Sequence, residues 1–188
     1  MKSRWNDDDA KRAVEAYGAE GVNEDIALRV YTTRLIGRDP LLVLHGGGNT
    51  SVKTRAVDDL GQEHDVIAVK GSGADMAEIE PWGLPEVKLG PLREMRALAA
   101  LSDEAMVNTQ RLNLLNAAAP NPSVETLLHA FLPHKFVDHA HAAAVLSLVD
   151  QPDGTDLARE VYNGRMGFVP YIAPGFDLAK AAADVFDE

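Results

Sequence analysis

The sequence has no cysteine among its 188 residues. That excludes a disulfide framework, a thiolate zinc site and a cysteine nucleophile. No apolar run approaches the roughly 18 residues of a membrane span. The N-terminus is charged and lacks the apolar core of a secretory signal. Basic residues are in the minority: 18 Lys and Arg stand against 29 Asp and Glu, a formal net charge of −11. Nucleic acid and anionic membranes both select clustered Lys and Arg, so neither is expected as a partner. A phosphorylated metabolite stays open, because local amides and a metal can override global charge inside a pocket. Internal repeats and low-complexity tracts are lacking as well. These absences predict a soluble, cytoplasmic protein.

What is present is ordinary globular composition, 46% hydrophobic and 25% charged. The length suits one domain with a sizeable core, and no stretch resembles a linker. Helices are expected over 7–17 and, capped by Asn23, up to Gly37, with Leu28, Tyr31 and Leu35 as an apolar stripe. Further helices are expected from Pro91, with Leu92, Met95 and Leu98 on one face, and from Ser102, with Met106, Val107 and Leu112 inward. Another, capped by Ser123, should run to Phe131, and more over 142–149, 155–163 and 176–186. Short strands are expected at 41–44, 54–57, 66–69 and 168–172, with an extended piece in 82–89. The pair around 50–69 reads as an antiparallel hairpin.

The run Phe136-Val-Asp-His-Ala-His-Ala-Ala-Ala144 carries the strongest chemical signal. Its first residues are β-prone, and on a strand side chains two apart share a face. His139 and His141 would then project to one side, near enough for both imidazoles to reach one metal at about 2.0–2.1 Å. Asp138 would face the other way, toward some other group. Two loops rich in small residues follow strand-like runs: Gly46-Gly-Gly-Asn-Thr-Ser51, placed between two strands, and Lys70-Gly-Ser-Gly73. Glycines let backbone N–H groups approach an anion, though either loop also fits a plain tight turn. Ser123-Val-Glu125 opens a helix, where an anion is favoured. Glu125 fits dipole compensation equally well as it fits a general base beside a metal.

His-Gly-Gly-Gly-Asn-Thr-Ser, Lys-Gly-Ser-Gly, Pro-Ser-Val-Glu and Asp-His-Ala-His occur here in one order. On these four motifs, over roughly residues 25–175, the chain resembles the class II aldolase/adducin N-terminal family. It looks most like the aldolase part of bifunctional rhamnulose-1-phosphate aldolase/alcohol dehydrogenase proteins, in which a short-chain dehydrogenase domain follows. The resemblance implies a three-layer α/β/α sandwich with a mainly antiparallel sheet, usually a fourfold tetramer. It implies a Zn²⁺ held by three histidines, of which His139 and His141 match two. Glu125 matches the catalytic acid/base, and Asn49, Ser72, Gly73 and Ser123 match positions that bind the substrate phosphate. The implied reaction cleaves a ketose 1-phosphate to dihydroxyacetone phosphate and an aldehyde, here lactaldehyde. A 4-epimerase, a dehydratase and a non-catalytic adducin-like module share these motifs. The third family histidine belongs to a downstream His-Gly motif, and no histidine follows His141. The family's C-terminal tyrosine is missing too, so the chain is expected to be a C-terminally truncated piece.

Overall fold

A computed structural model of the chain describes residues 2–188. Two N-terminal helices, α1 (Asp7–Ala19) and α2 (Glu24–Gly37), are capped by asparagine. The Asn6 side chain accepts from Asp8 and Asp9 N–H, and Asn23 accepts from Asp25 N–H. Acidic residues fill both first turns, where the helix dipole favours them. The sheet then forms from β1 (Asn49–Val57), β2 (Glu63–Val69), β3 (Glu86–Lys88) and β4 (Phe136–His139). Its spatial order is β3-β2-β1-β4, and every neighbouring pair is antiparallel. The remaining helices are α3 (Leu89–Glu94), α4 (Asp103–Leu112), α5 (Thr126–Phe131), α6 (Ala143–Val149), α7 (Gly154–Tyr162) and α8 (Phe176–Asp187).

Helices cover both faces of the sheet, which makes the expected three layers. On one face Ile26 and Val30 of α2 pack with Val52, Ala68, Ile79 and Leu84. On the other, Ile67, Val69 and Val87 meet Leu92, Met106, Leu127, Phe131, Phe176 and Ala179 from α3, α4, α5 and α8. The alternation Ile67, Ala68, Val69 splits β2 between the two cores, as a two-residue period requires. Among the described residues no helix is long and apolar enough to cross a membrane.

Several expectations need correction. Residues 41–44 are not a strand: Leu41 and Leu44 are largely exposed and only Val43 is buried. The chain turns there and then adopts positive φ at His45 and Gly48. β1 begins at Asn49, so Asn49, Thr50 and Ser51 are strand residues and the glycine loop is shorter than expected. Residues 168–172 form no strand. In α4 only Met106 of the three expected inward residues is buried; Val107 and Leu112 face solvent. The helix expected from Pro91 starts at Leu89 and gives way to a 3-10 turn by Met95, leaving Leu98 exposed. In α2 Ala27, expected beside the stripe, is fully buried, but the others buried with it are Arg29, Val30 and Thr33 rather than Leu28, Tyr31 and Leu35. Tyr31 of that stripe meets Trp5, just before α1, edge-on.

Candidate active site

The site assembles where the N-terminal end of β1 meets the end of β4 and the start of α5. Asn49 opens β1 and stands opposite His139 in the register. Thr50 therefore faces α2, while Asn49 and Ser51 face α5. The α5 entry is built by Ser123, whose carbonyl accepts from the Thr126 N–H (3.1 Å) and hydroxyl (2.6 Å). Ser123 thus sits one turn before the helix proper, and Glu125 is the residue at its cap.

The Asn49 amide nitrogen ties the parts together. It donates to Ser123 Oγ at 3.2 Å, to the Glu125 carboxylate, and lies 3.2 Å from His139 Nδ1. Glu125 Oε2 is 3.3 Å from the same His139 nitrogen. Burial pushes the Glu125 carboxyl up. The hydrogen bond and charge of His139 and the Asn49 hydrogen bond outweigh it, so the pKa lies below the usual carboxylate range. The carboxylate is ionised at neutral pH and half-enclosed.

His139 is the last residue of β4, and His141 lies just past it. The expectation that both sit on one regular strand is corrected in that detail. The chain is held there instead by the His141 N–H, which donates to the Leu42 carbonyl at 2.8 Å. The rings still converge, with centroids 4.8 Å apart at 65°. Space for the His141 ring comes from Gly47: a Cβ there would stand 3.1 Å from His141 Nδ1. With Nδ1 of His139 turned to Glu125 and Asn49, its other nitrogen is left for a ligand, the arrangement that orients metal-binding imidazoles. The two rings supply two imidazole donors of the type a divalent metal takes. Among the described residues no group of three or more His, Asp or Glu side chains is disposed to hold a metal.

All seven residues singled out from the sequence line one cleft of about 190 Å³: Asn49, Ser72, Gly73, Ser123, Glu125, His139 and His141. A larger groove of about 910 Å³ lies beside Trp82 and Pro120. Chemistry, not size, separates the two, since the smaller cleft gathers a carboxylate, two imidazoles and a cation. That cation, Lys70, was read only as the start of a small-residue loop. It is 2% exposed, and its ammonium donates to the carbonyls of Ala74 (2.6 Å), Gly71 (3.3 Å) and Gly46 (3.4 Å). It joins the two glycine loops, whose backbones approach at Gly46 and Gly73. Burial lowers its pKa, and Asp75 and Glu125 oppose that shift. The signal available in the sequence was its place at the end of a buried strand, directly before Gly71.

His129 does not line the cleft. It lies behind it, fully buried, with Nδ1 on Ser51 Oγ. His64 is a β2 residue paired with Asp58 at 2.8 Å.

The model of the Class II Aldolase and Adducin N-terminal domain family matches residues 28–188. The chain belongs to this family. It is 40% identical, over 98% of its length, to the uncharacterized oxidoreductase YuxG of Bacillus subtilis (strain 168), of which it spans 25%. It also superposes on the N-terminal class II aldolase domain of a conserved protein from Thermoplasma acidophilum. There the TM-score is 0.84 at 39% identity, covering 98% of this chain and 80% of that one. The fold is thus that of a class II aldolase domain, with its sheet fully antiparallel.

Proposed function

We propose that this aldolase-type domain is a divalent-metal-dependent aldehyde-lyase acting on a ketose 1-phosphate, with rhamnulose 1-phosphate as the first substrate to test. The products would be dihydroxyacetone phosphate and lactaldehyde. One observation carries the reading: an ionised Glu125 held by Asn49 against His139, beside a second imidazole and between two glycine loops. Bond cleavage between C3 and C4 takes a proton from the C4 hydroxyl and leaves an electron pair on C3. The ionised Glu125 would take up the C4 hydroxyl proton, through water, and return it to C3. In condensation the same path runs in reverse, with Glu125 removing the C3 proton. Its lowered pKa keeps it in the basic form for the second direction. The N–H groups of Gly46, Gly48 and Gly73, the Ser72 and Ser123 hydroxyls and the Lys70 charge would bind the phosphate. The Gly47, Gly71 and Ser72 N–H groups are taken by carbonyls of Leu44, Gly83 and Asn121. His139 and His141 would hold the metal, with zinc suited to imidazole donors, and such a cation polarises the carbonyl and hydroxyl oxygens of the ketose.

A homotetramer and a following dehydrogenase domain belong to the same proposal. The word oxidoreductase in the relative's name supports the latter. A second reading, an adducin-like binding module, is favoured by one observation: among the described residues no third His, Asp or Glu joins the histidines in a metal-holding group. The deciding assay supplies Zn²⁺ and rhamnulose 1-phosphate and follows dihydroxyacetone phosphate. Glu125→Gln should lose about 10²–10⁴ in kcat even at saturating metal, with metal affinity itself reduced roughly tenfold because Glu125 also orients His139. Metal binding with no cleavage of any ketose phosphate would redirect the proposal to an epimerase or dehydratase. Neither metal nor phosphate binding would favour the binding module.

A further inference from the structure

Arg29 is a fully buried cation on the sheet-facing side of α2. Its guanidinium reaches two strands at once. It donates to the Ser51 carbonyl of β1 at 3.2 Å and pairs with Asp138 Oδ1 of β4 at 2.7 Å. Thr32 Oγ1, 2.6 Å away, takes a third contact, and the Phe136 ring lies 5.5 Å from the guanidinium carbon. One position along, Thr33 and Thr50 hydroxyls meet at 2.6 Å.

Asp138 is opposite Thr50, and His139 is opposite Asn49. Successive side chains of a strand point to opposite faces, so Asp138 turns to α2 and His139 to α5. A slip of one residue would exchange them. β4 has only four residues and four register pairs with β1, so the ladder alone defends the register weakly. Arg29 is buried while the Asp138 side chain is 52% exposed, so the pair adds little net stability. Fixing register is the best-attested use of such a specific charge pair.

We propose that Arg29 and Asp138 are positioning residues for the candidate metal pair. From the far face of the sheet they lock β4 against β1, and so hold the His139 ring against Asn49 and Glu125. The inference rests on the reading above only for what the imidazoles bind.

The test uses the full chain, the metal Co²⁺ alone, and NMR. Asp138→Asn should weaken Co²⁺ binding by at least about tenfold, the range found when groups supporting a metal ligand are removed. It should alter the Co²⁺ absorption bands and diminish the cross-strand NOE between Asn49 and His139. Asp138→Glu should restore part of both. Thr33→Val breaks a neighbouring α2–β1 contact; it should lower the melting temperature yet leave Co²⁺ affinity and the NOE unchanged. Arg29→Lys, which keeps the charge but not the second contact, repeats the measurement if Asp138→Asn does not fold. Wild-type Co²⁺ affinity and an intact NOE in Asp138→Asn would overturn the proposal. A wild-type chain that binds no Co²⁺ would remove the metal reading, and the NOE would then decide the register claim by itself.

Discussion

The Ser51 hydroxyl and His129 Nδ1 lie 2.8 Å apart between β1 and α5, and neither side chain is reached by solvent. The same helical turn is fastened at its other atoms. The His129 N–H donates to the Glu125 carbonyl at 3.3 Å, and Lys53 Nζ donates to the His129 carbonyl at 2.7 Å. The wall behind Glu125 is therefore a buried, neutral imidazole.

Burial pushes the His129 pKa down to about 3. In the unfolded chain it returns to about 6.5. Between those values the unfolded state binds the extra proton, so this residue costs stability as pH falls below about 6.5, by up to about 1.4 kcal/mol per pH unit. Above that it contributes no slope. Urea unfolding at pH 7 and pH 5 should show wild type losing stability over this window and His129→Gln losing clearly less. Equal losses in the two proteins would show that His129 is not the titrating group.

Gly47 and Gly48 should fail differently when replaced. Gly48 has φ +66°, and a Cβ would come 2.7 Å from the His139 carbonyl and 2.8 Å from Val43 Cγ1. Gly48→Ala should cost about 1–3 kcal/mol, or roughly 2–4 °C of melting temperature per kcal/mol. At Gly47 the added carbon meets the Leu44 carbonyl at 3.0 Å and the movable His141 ring at 3.1 Å. Gly47→Ala should fold, and titration with Co²⁺ should show metal affinity reduced about tenfold. Unchanged affinity would mean that the ring has room to spare.

Lys70→Met removes the cleft's cation and strands three carbonyl acceptors. A charged hydrogen-bond partner is worth about 1.5–3 kcal/mol, so KM for a ketose phosphate should rise roughly 10–100-fold. Competitive inhibition by inorganic phosphate should weaken by a similar factor, whereas inhibition by an unphosphorylated ketose should change little. Parallel loss for both inhibitors would assign Lys70 to loop structure alone.

The hairpin and the Asn23 cap were legible because each follows from neighbours along the chain. The expected Ser123 cap, by contrast, is not formed, Glu125 holding that position without a side-chain cap bond, and the grouping of the four motifs came from the family resemblance. Asn23 and Ser102 do cap helices, and Val66–Val69 does pair with β1. Asp138 does face away from the histidines, as a two-residue period demands. Arg29 was not legible, since a buried arginine is stable only through a partner on a strand remote in sequence. The same holds for Lys70, whose ammonium is satisfied by carbonyls of two different loops. Leu41–Leu44 misled because four apolar residues in a row carry no alternation: the run turns toward the glycine loop instead of entering the sheet. Val107 and Leu112 misled because α4 needs little more than Met106 and Gln110 to cover its share of the core.

Asn49 contacts Ser123 across 74 positions of sequence and His139 across 90. No fragment of the chain that lacks one of these segments can assemble the cleft, and no locally folded intermediate can hold it. Ligand occupancy at the cleft would therefore report completed long-range closure of the domain. Any cation or phosphate bound there would stabilise the fold by mass action, raising the melting temperature with ligand concentration. Opening of the four-residue edge strand β4 alone would release it, making this edge pairing the point at which binding and folding are one equilibrium.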